Sequence, residues 1–231
     1  MNNASQTDLS TIRGLLFDWD GTIVDSRLSM FLSMQYAYQK HVGILFPRDE
    51  EEFRRIAPMR MVEHAAIYAK EHAAAVAESY IWYYANEGHK KGNIFPGMRE
   101  TLAELRKRGY ALGVVTNTTR QRMQADLDHL QLANAIDSIV TADETTERKP
   151  HPAPLLKGAE KLQLAPRELA YIGDFSGDIL AAHAAGMLSV AALYGGVYLI
   201  ESVLAAQPTC TIQTPPDLLN LFPGIADAQT L

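Results

Sequence analysis

Leu15-Leu16-Phe17-Asp18-Trp19-Asp20-Gly21-Thr22 is the stretch on which the reading of this chain turns. Its apolar half reads as a buried strand, and the strand stops at two carboxylates separated by one residue, then a glycine that permits a sharp turn. In open parallel α/β sheets ligands bind beyond the carboxyl ends of the strands, so acids placed there face a crevice rather than a core. One carboxylate can serve as a nucleophile and a second as its acid/base partner. An acidic pair beside a glycine is also an ordinary solvated turn, so the stretch alone leaves both readings open.

Outward from it the periodicity changes. Residues 12–18 form the first strand, and Ser26 caps a helix to about His41 that Gly43 stops. From Asp49 to about Glu87 every interpretable pattern is helical, and the Gly-, Lys- and Asn-rich segment 88–96 reads as a return linker. A helix over 98–108 follows. Strands at 110–115, 136–140, 170–173 and 188–193 then alternate with helices at 119–130, 152–162 and 178–185, and a short helix is expected at 217–221. Such alternation predicts an α/β fold: a doubly wound parallel sheet, with residues 1–24 and 91–231 as the core and 25–90 as an inserted all-helical domain.

Composition bounds the function. Of the 231 residues 47% are apolar and 21% charged, the balance of a globular protein, and a net charge of −6 without a long basic run gives no footprint for nucleic acid or an anionic membrane. Binding an anion therefore needs a local device. Cys210 is the single cysteine, which rules out an internal disulfide, and its strand-like surroundings predict a small buried thiol. The polar start, Met1 to Thr11, and the lack of an apolar span of about 18 residues point to a cytoplasmic protein, and a monomer or homodimer is expected.

Three further strand ends carry polar clusters. Thr116-Asn117-Thr118-Thr119 precedes a helix N-terminus, where free N–H groups favour a phosphate, although Thr118 or Thr119 can equally be a simple cap. Lys149-Pro150 places an ammonium just before a proline-started helix, within reach of the sheet ends, unless it is an exposed loop lysine. In Gly173-Asp174-Phe175-Ser176-Gly177-Asp178 the acid at the strand end matches the setting of Asp18, and two such acids on neighbouring strands repel unless a cation lies between them. Oxygen-only ligands point to Mg²⁺.

These four clusters, in this order and at these strand ends, resemble the four motifs of the haloacid dehalogenase (HAD) superfamily, over essentially the whole chain. The helical insertion is similar to the cap of its phosphoglycolate phosphatase-like branch. The resemblance implies an Mg²⁺-dependent phosphomonoesterase for a small phosphorylated metabolite. In it Asp18 attacks phosphorus and Asp20 protonates the leaving oxygen and later activates water. Asp18, the Asp20 backbone carbonyl and Asp174 would hold Mg²⁺ with Asp178 auxiliary, and Thr116, the Asn117 backbone and Lys149 would hold the phosphoryl group.

Trp19 departs from the usual aliphatic or Phe, and is similar in that respect to phosphonoacetaldehyde hydrolases, which lack the second acid present here as Asp20. The β-phosphoglucomutase branch has a cap histidine about ten residues after the second acid, where this chain has Met30. Transfer to a second acceptor, phosphonate cleavage and a non-catalytic binding protein of the same fold are the competing readings. For substrate selection the cap offers Arg54, Arg55 and Arg60 as candidate anion contacts, against a solvated helix face. The histidines at 41, 64, 72 and 89 have no metal-ligand spacing and read as surface or partly buried, and Tyr80, Trp82, Tyr83 and Tyr84 as cap packing.

Overall fold

The computed structural model describes residues 9–57, 59 and 61–225. Most of the polar start (1–8), the end of the tail (226–231) and the candidate Arg60 lie outside the described residues. Strand β1 (Gly14–Phe17) is buried along its whole length, and each of Leu15, Leu16 and Phe17 removes enough apolar surface from water for about 1.5–3 kcal/mol. The chain leaves β1 into the acidic turn and then makes β2 (Val24–Asp25). Helices α1 (Arg27–His41), α2 (Glu50–Ile56), α3 (Met61–Tyr68) and α4 (Ala73–Asn86) follow, before β3 (Asn93–Ile94).

The remaining elements alternate. They are α5 (Met98–Lys107), β4 (Ala111–Val115), α6 (Arg120–Leu130), β5 (Ser138–Val140), α7 (Ala153–Leu162), β6 (Leu169–Gly173), α8 (Ser176–Ala185), β7 (Leu188–Ala192), α9 (Ile200–Ala205), β8 (Cys210–Ile212) and α10 (Leu218–Leu221). Six strands make one parallel sheet in the order β5-β4-β1-β6-β7-β8. Strand order runs outward in both directions from β1, so β1 lies at the switch point where a crevice opens above the strand ends. Alternate side chains of β1 enter different cores. Leu15 and Phe17 pack with Leu102, Met123 and Leu127 of α5 and α6, and Leu16 packs with Leu155 and Ala181 of α7 and α8. The expected doubly wound parallel sheet is the fold.

The insertion has its own apolar cluster, in which Met34 and Tyr38 of α1 meet Phe53, Ile56, Val76 and Tyr80. Asp49 starts α2 by accepting the Glu52 amide at 2.8 Å. Two features were not legible in the sequence. The segment read as a bare linker contains a 3₁₀ turn, Gly88–Lys91, and then β3, which pairs antiparallel with β2 through Val24↔Ile94 and Asp25↔Asn93. Strands of two residues are too short to show a period. The six-residue α9 was missed for the same reason. Cys210 is only partly buried, a correction to the expected core thiol, because β8 is the edge of the sheet.

His64 is a second correction, since it is fully buried rather than at the surface or partly buried. Its ring stacks on Phe46 at 5.4 Å between centroids and Nδ1 lies 3.1 Å from the Tyr38 hydroxyl, while Nε2 has no hydrogen-bond partner among the described residues. Burial lowers its pKa from 6.5 to about 4. The unfolded chain therefore takes up a proton on this residue at a higher pH than the native one does, so the stability tied to neutral His64 is complete above pH 6.5 and is lost as pH falls toward 4. Relative to His64→Phe, which cannot charge, the wild-type melting temperature should drop progressively across that window; parallel melts of the two proteins at a series of pH values check it.

Candidate active site

The backbone places Asp18 one residue beyond β1, where its amide still donates to Ile172 O of β6 at 2.8 Å. Asp174 follows β6 in the same way, and Asp178 lies in the first turn of α8, where its carboxylate accepts the Phe175 amide at 3.1 Å. One oxygen from each of Asp18, Asp174 and Asp178 lies within 4.8 Å of the others. Backbone closes on this cluster from two loops. A Cβ on Gly21, whose φ is +81°, would stand 2.1 Å from Asp174 Oδ2, and one on Gly195 would stand 2.3 Å from the same atom. Only glycine leaves room there.

Lys149 supplies the counter-charge. Its side chain is 3% exposed, so it is no loop lysine in solvent, and Nζ lies 2.8 Å from Asp18 and 2.7 Å from Asp178. Nζ also donates to the Tyr171 hydroxyl at 2.7 Å, and that hydroxyl donates to Val115 O at 2.7 Å. Burial works against the ammonium, but Asp178 and Asp18 outweigh it and its pKa rises. Asn117 holds the lysine loop by a reciprocal pair of hydrogen bonds, accepting the Lys149 amide at 3.1 Å and donating Nδ2 to the Lys149 carbonyl at 3.2 Å. The Asn117 side chain thus fixes the lysine, a role in addition to the phosphate contact expected of its backbone.

Asp20 is turned to a different neighbourhood, and its side chain is outside the carboxylate cluster. It accepts the Thr118 hydroxyl at 2.5 Å and faces Nη2 of Arg122 at 3.4 Å. Thr118 is therefore neither a free phosphate ligand nor a helix cap. Thr116 Oγ1 accepts the Thr118 amide at 3.1 Å, which shapes the loop. Trp19, between the two acids, points the other way and is fully buried, with Nε1 donating to Asp126 Oδ2 of α6 at 2.9 Å. Tyr84 of α4 donates to the same carboxylate oxygen at 3.1 Å, and the Arg122 guanidinium lies 3.9 Å from the Tyr84 ring centroid. Burial, with the Asp20 charge adding, raises Asp126 to about 7.

Above the strand ends lies a cavity of about 360 Å³. Asp18, Asp20, Thr116 and Lys149 form its polar side, and Met30, Met34, Phe53, Met59 and Met61 of the insertion form an apolar one. Arg54 and Arg55 do not line it. They pair on the surface of α2 with Glu50 at 3.4 Å and Glu52 at 3.5 Å, so the solvated-face reading holds for both. Sequence reasoning missed Arg122, Asp126 and Tyr171, which lie outside the strand-end clusters, and it singled out Thr118 without its bond to Asp20. The available signal was Trp19, whose buried indole requires an acceptor, together with Arg122 and Asp126 one helical turn apart.

The donor set fits a hard divalent cation. Both oxygens of Asp174 are buried and without a hydrogen-bond partner among the described residues. Burial lifts Asp18 to about 7, with Asp178 adding to it and Lys149 opposing, and lifts Asp174 well above the carboxylate range, with Asp178 and Asp18 adding. An all-oxygen group that is under-charged without a cation is what such an ion binds.

The family model for haloacid dehalogenase-like hydrolases matches residues 15–192. The chain is 33% identical over 227 residues to a phosphoglycolate phosphatase of Yersinia pseudotuberculosis, covering 94% of this chain and 97% of that one. It is 30% identical over 231 residues to the phosphoglycolate phosphatase of Escherichia coli K12, covering 90% and 91%. A haloacid dehalogenase-like hydrolase of Streptococcus pneumoniae has the same fold, with a TM-score of 0.80 at 24% identity over 91% of this chain and 98% of that one. A β-phosphoglucomutase of Clostridium difficile shares it with a TM-score of 0.73 at 23% identity, over 90% and 93%. No described helix is long and apolar enough to cross a membrane.

Replacing one converging carboxylate should stabilise the metal-free protein while removing its response to the ion. Asp18 and Asp174 have raised pKa values, so the native state binds more protons than the unfolded chain from about pH 3.8 up to about 7 for Asp18, and stability falls as pH rises through that window. Asp174→Asn should raise the melting temperature without metal, and by more at pH 8 than at pH 5. Mg²⁺ at a hundred times its Kd should stabilise the wild type by about 2.7 kcal/mol and leave the variant unmoved, in melts with and without the ion.

Proposed function

We propose that this chain, which belongs to the haloacid dehalogenase-like hydrolases and is a phosphatase, hydrolyses the phosphate ester of a small acidic metabolite of the phosphoglycolate kind through an aspartyl-phosphate on Asp18. The observation that carries the reading is the contrast between two acids separated by one residue. Asp18 lies in a buried charge cluster with Lys149 at 2.8 Å, and Asp20 lies against a hydroxyl and a guanidinium at the wall of the same cavity. One is set as nucleophile and the other as proton carrier.

In the first half-reaction an Asp18 oxygen forms a bond to phosphorus as the P–O bond to the leaving group breaks, and Asp20 gives its proton to the departing oxygen. In the second, Asp20 takes a proton from water as that water attacks the acyl phosphate, and Asp18 is released with inorganic phosphate. Lys149 and the Thr116 hydroxyl contact phosphoryl oxygens and hold them in line. Phosphoryl transfer asks for this kind of positioning and charge neutralisation more than for elaborate covalent chemistry. Asp18, Asp174 and the Asp20 carbonyl would hold Mg²⁺ with Asp178 beside them; when bound, the ion supplies positive charge to the phosphoryl oxygens.

Residues 25–90 serve as a movable cap in this reading. The β2–β3 ribbon is its hinge, because both connections pass through those four paired residues. Closure brings the methionines and Phe53 over the strand ends and excludes bulk water while the leaving group departs. A phosphoglycolate substrate is supported by the relatives of 30–33% identity that carry that name.

Asp18→Asn should abolish turnover and phosphoenzyme formation without loss of fold. Asp20→Asn should reduce kcat by about 10²- to 10⁴-fold, the range for a positioned general acid/base, and should slow release of the phosphoenzyme as well as its formation. Rapid-quench assays with phosphoglycolate and an aryl phosphate, with Mg²⁺ and with EDTA, test both; near-wild-type rates in either variant would refute the mechanism.

A further inference from the structure

We propose that Arg122 is the residue that recognises the leaving group, by taking a carboxylate held two bonds from the ester oxygen. The inference rests on the phosphatase reading above and names the part of the substrate that the site selects. Among the described residues three cations line the cavity, Arg122, Arg148 and Lys149. Lys149 is committed to Asp18 and Asp178, and Arg148 donates Nη1 to the Asn117 carbonyl at 3.2 Å. Arg122 is 8% exposed, its Nε is buried without a hydrogen-bond partner among the described residues, and its two contacts to Asp20 are long, 3.4 Å each. A desolvated guanidinium with an unpaired Nε and only long contacts to its carboxylate suits an anionic ligand.

Its position identifies the ligand. Asp20 is the group that meets the ester oxygen, and Arg122 lies at the same carboxylate. An anion that Arg122 can take while Asp20 protonates the leaving oxygen must therefore be close to that oxygen along the substrate chain. A carboxylate on the carbon bonded to the ester oxygen satisfies this. The guanidinium is also held in place beforehand: it lies on the Tyr84 ring, Tyr84 is tied by its hydroxyl to Asp126, and Asp126 is tied to the indole of Trp19. Trp19 and Asp126 are thus positioning residues that act on the substrate through Arg122. Facing methionines and Phe53 keep water from the ion pair, which strengthens it.

The test uses the full chain with Mg²⁺ and two phosphonates in which a CH₂ replaces the ester oxygen, so that neither is hydrolysed. One, 3-phosphonopropionate, keeps the carboxylate, and the other, propylphosphonate, lacks it. By calorimetry the wild type should bind the first about 10- to 100-fold more tightly than the second, the scale of a charge-assisted hydrogen bond. Arg122→Met should erase that ratio, and Arg122→Lys should keep part of it. A ratio that persists in Arg122→Met places the carboxylate contact elsewhere and overturns the proposal. A wild type without any preference overturns it too, whether or not the variants fold, and if that wild type still hydrolyses an aryl phosphate through Asp18 the phosphatase reading survives alone. A wild type that binds neither ligand and hydrolyses no ester overturns both.

Discussion

Three carboxylates converge in a buried volume at the ends of β1 and β6, and the Lys149 ammonium, 2.8 Å from Asp18 and 2.7 Å from Asp178, is the contact that makes this tolerable. Taking one ion out of water costs several kcal/mol even after relaxation, and like charges so close add to it. The fold meets that cost by packing rather than by surface electrostatics. Leu15, Leu16 and Phe17 fix β1 from both faces, so Asp18 cannot retreat toward solvent without pulling a buried strand with it. Asn117 and Tyr171 do the same for Lys149, one through its backbone and the other through its ammonium. The carboxylates outnumber the ammonium, and that residual imbalance would favour a second cation at the site.

The single residue between Asp18 and Asp20 does more than space them. In extended backbone, side chains two apart share a side and the one between faces away. Asp18 and Asp20 both reach the cavity while Trp19 enters the core under α6. The carbonyl of Trp19 then accepts the amides of Thr22, Ile23 and Val24 at 3.0–3.3 Å, so the turn that follows is wound on the same residue. An aliphatic residue at position 19 would leave empty part of the space that the fully buried Trp19 fills. It would leave Asp126 with Tyr84 as its remaining hydrogen-bond donor, a half-satisfied buried carboxylate.

The doubly wound sheet was legible because its central strands are buried on both faces and alternate with helices long enough to show a period. The four strand-end clusters were legible because acids and a lysine that interrupt apolar runs are rarely accidental together. Residues whose partners are distant in sequence were not legible. Asp126 meets Trp19 across 107 positions and Tyr84 across 42, and nothing local to α6 marks it. Arg54 and Arg55 show the opposite failure, because a basic pair in a cap suggests a ligand, whereas each satisfies a glutamate within four residues on its own helix. His64 shows that dispersed spacing argues against a metal site but says nothing about burial, which Tyr38 and Phe46 from other elements and Tyr68 one turn along the same helix decide.

Placing the anion contact on α6 rather than on the helical insertion has a physical consequence for catalysis. A cation carried by a lid moves with every opening, and its hold on a substrate is gained only on closure. α6 is packed on the sheet through Met123 and Leu127, so a guanidinium mounted there keeps its distance from Asp20 in either state. From the insertion Arg122 meets the Tyr84 and Tyr80 rings of α4, 3.9 Å and 5.5 Å from its guanidinium; Tyr84 is close in the chain to β3, where a lid hinged at the β2–β3 ribbon would sweep through a small displacement. The insertion is then left with the work that its Met-rich cavity face suits, which is to exclude water without adding charge. On the proposed mechanism, selection of the leaving group and chemistry on the phosphoryl group would both be anchored to the sheet, and the moving part would determine when they act rather than on what.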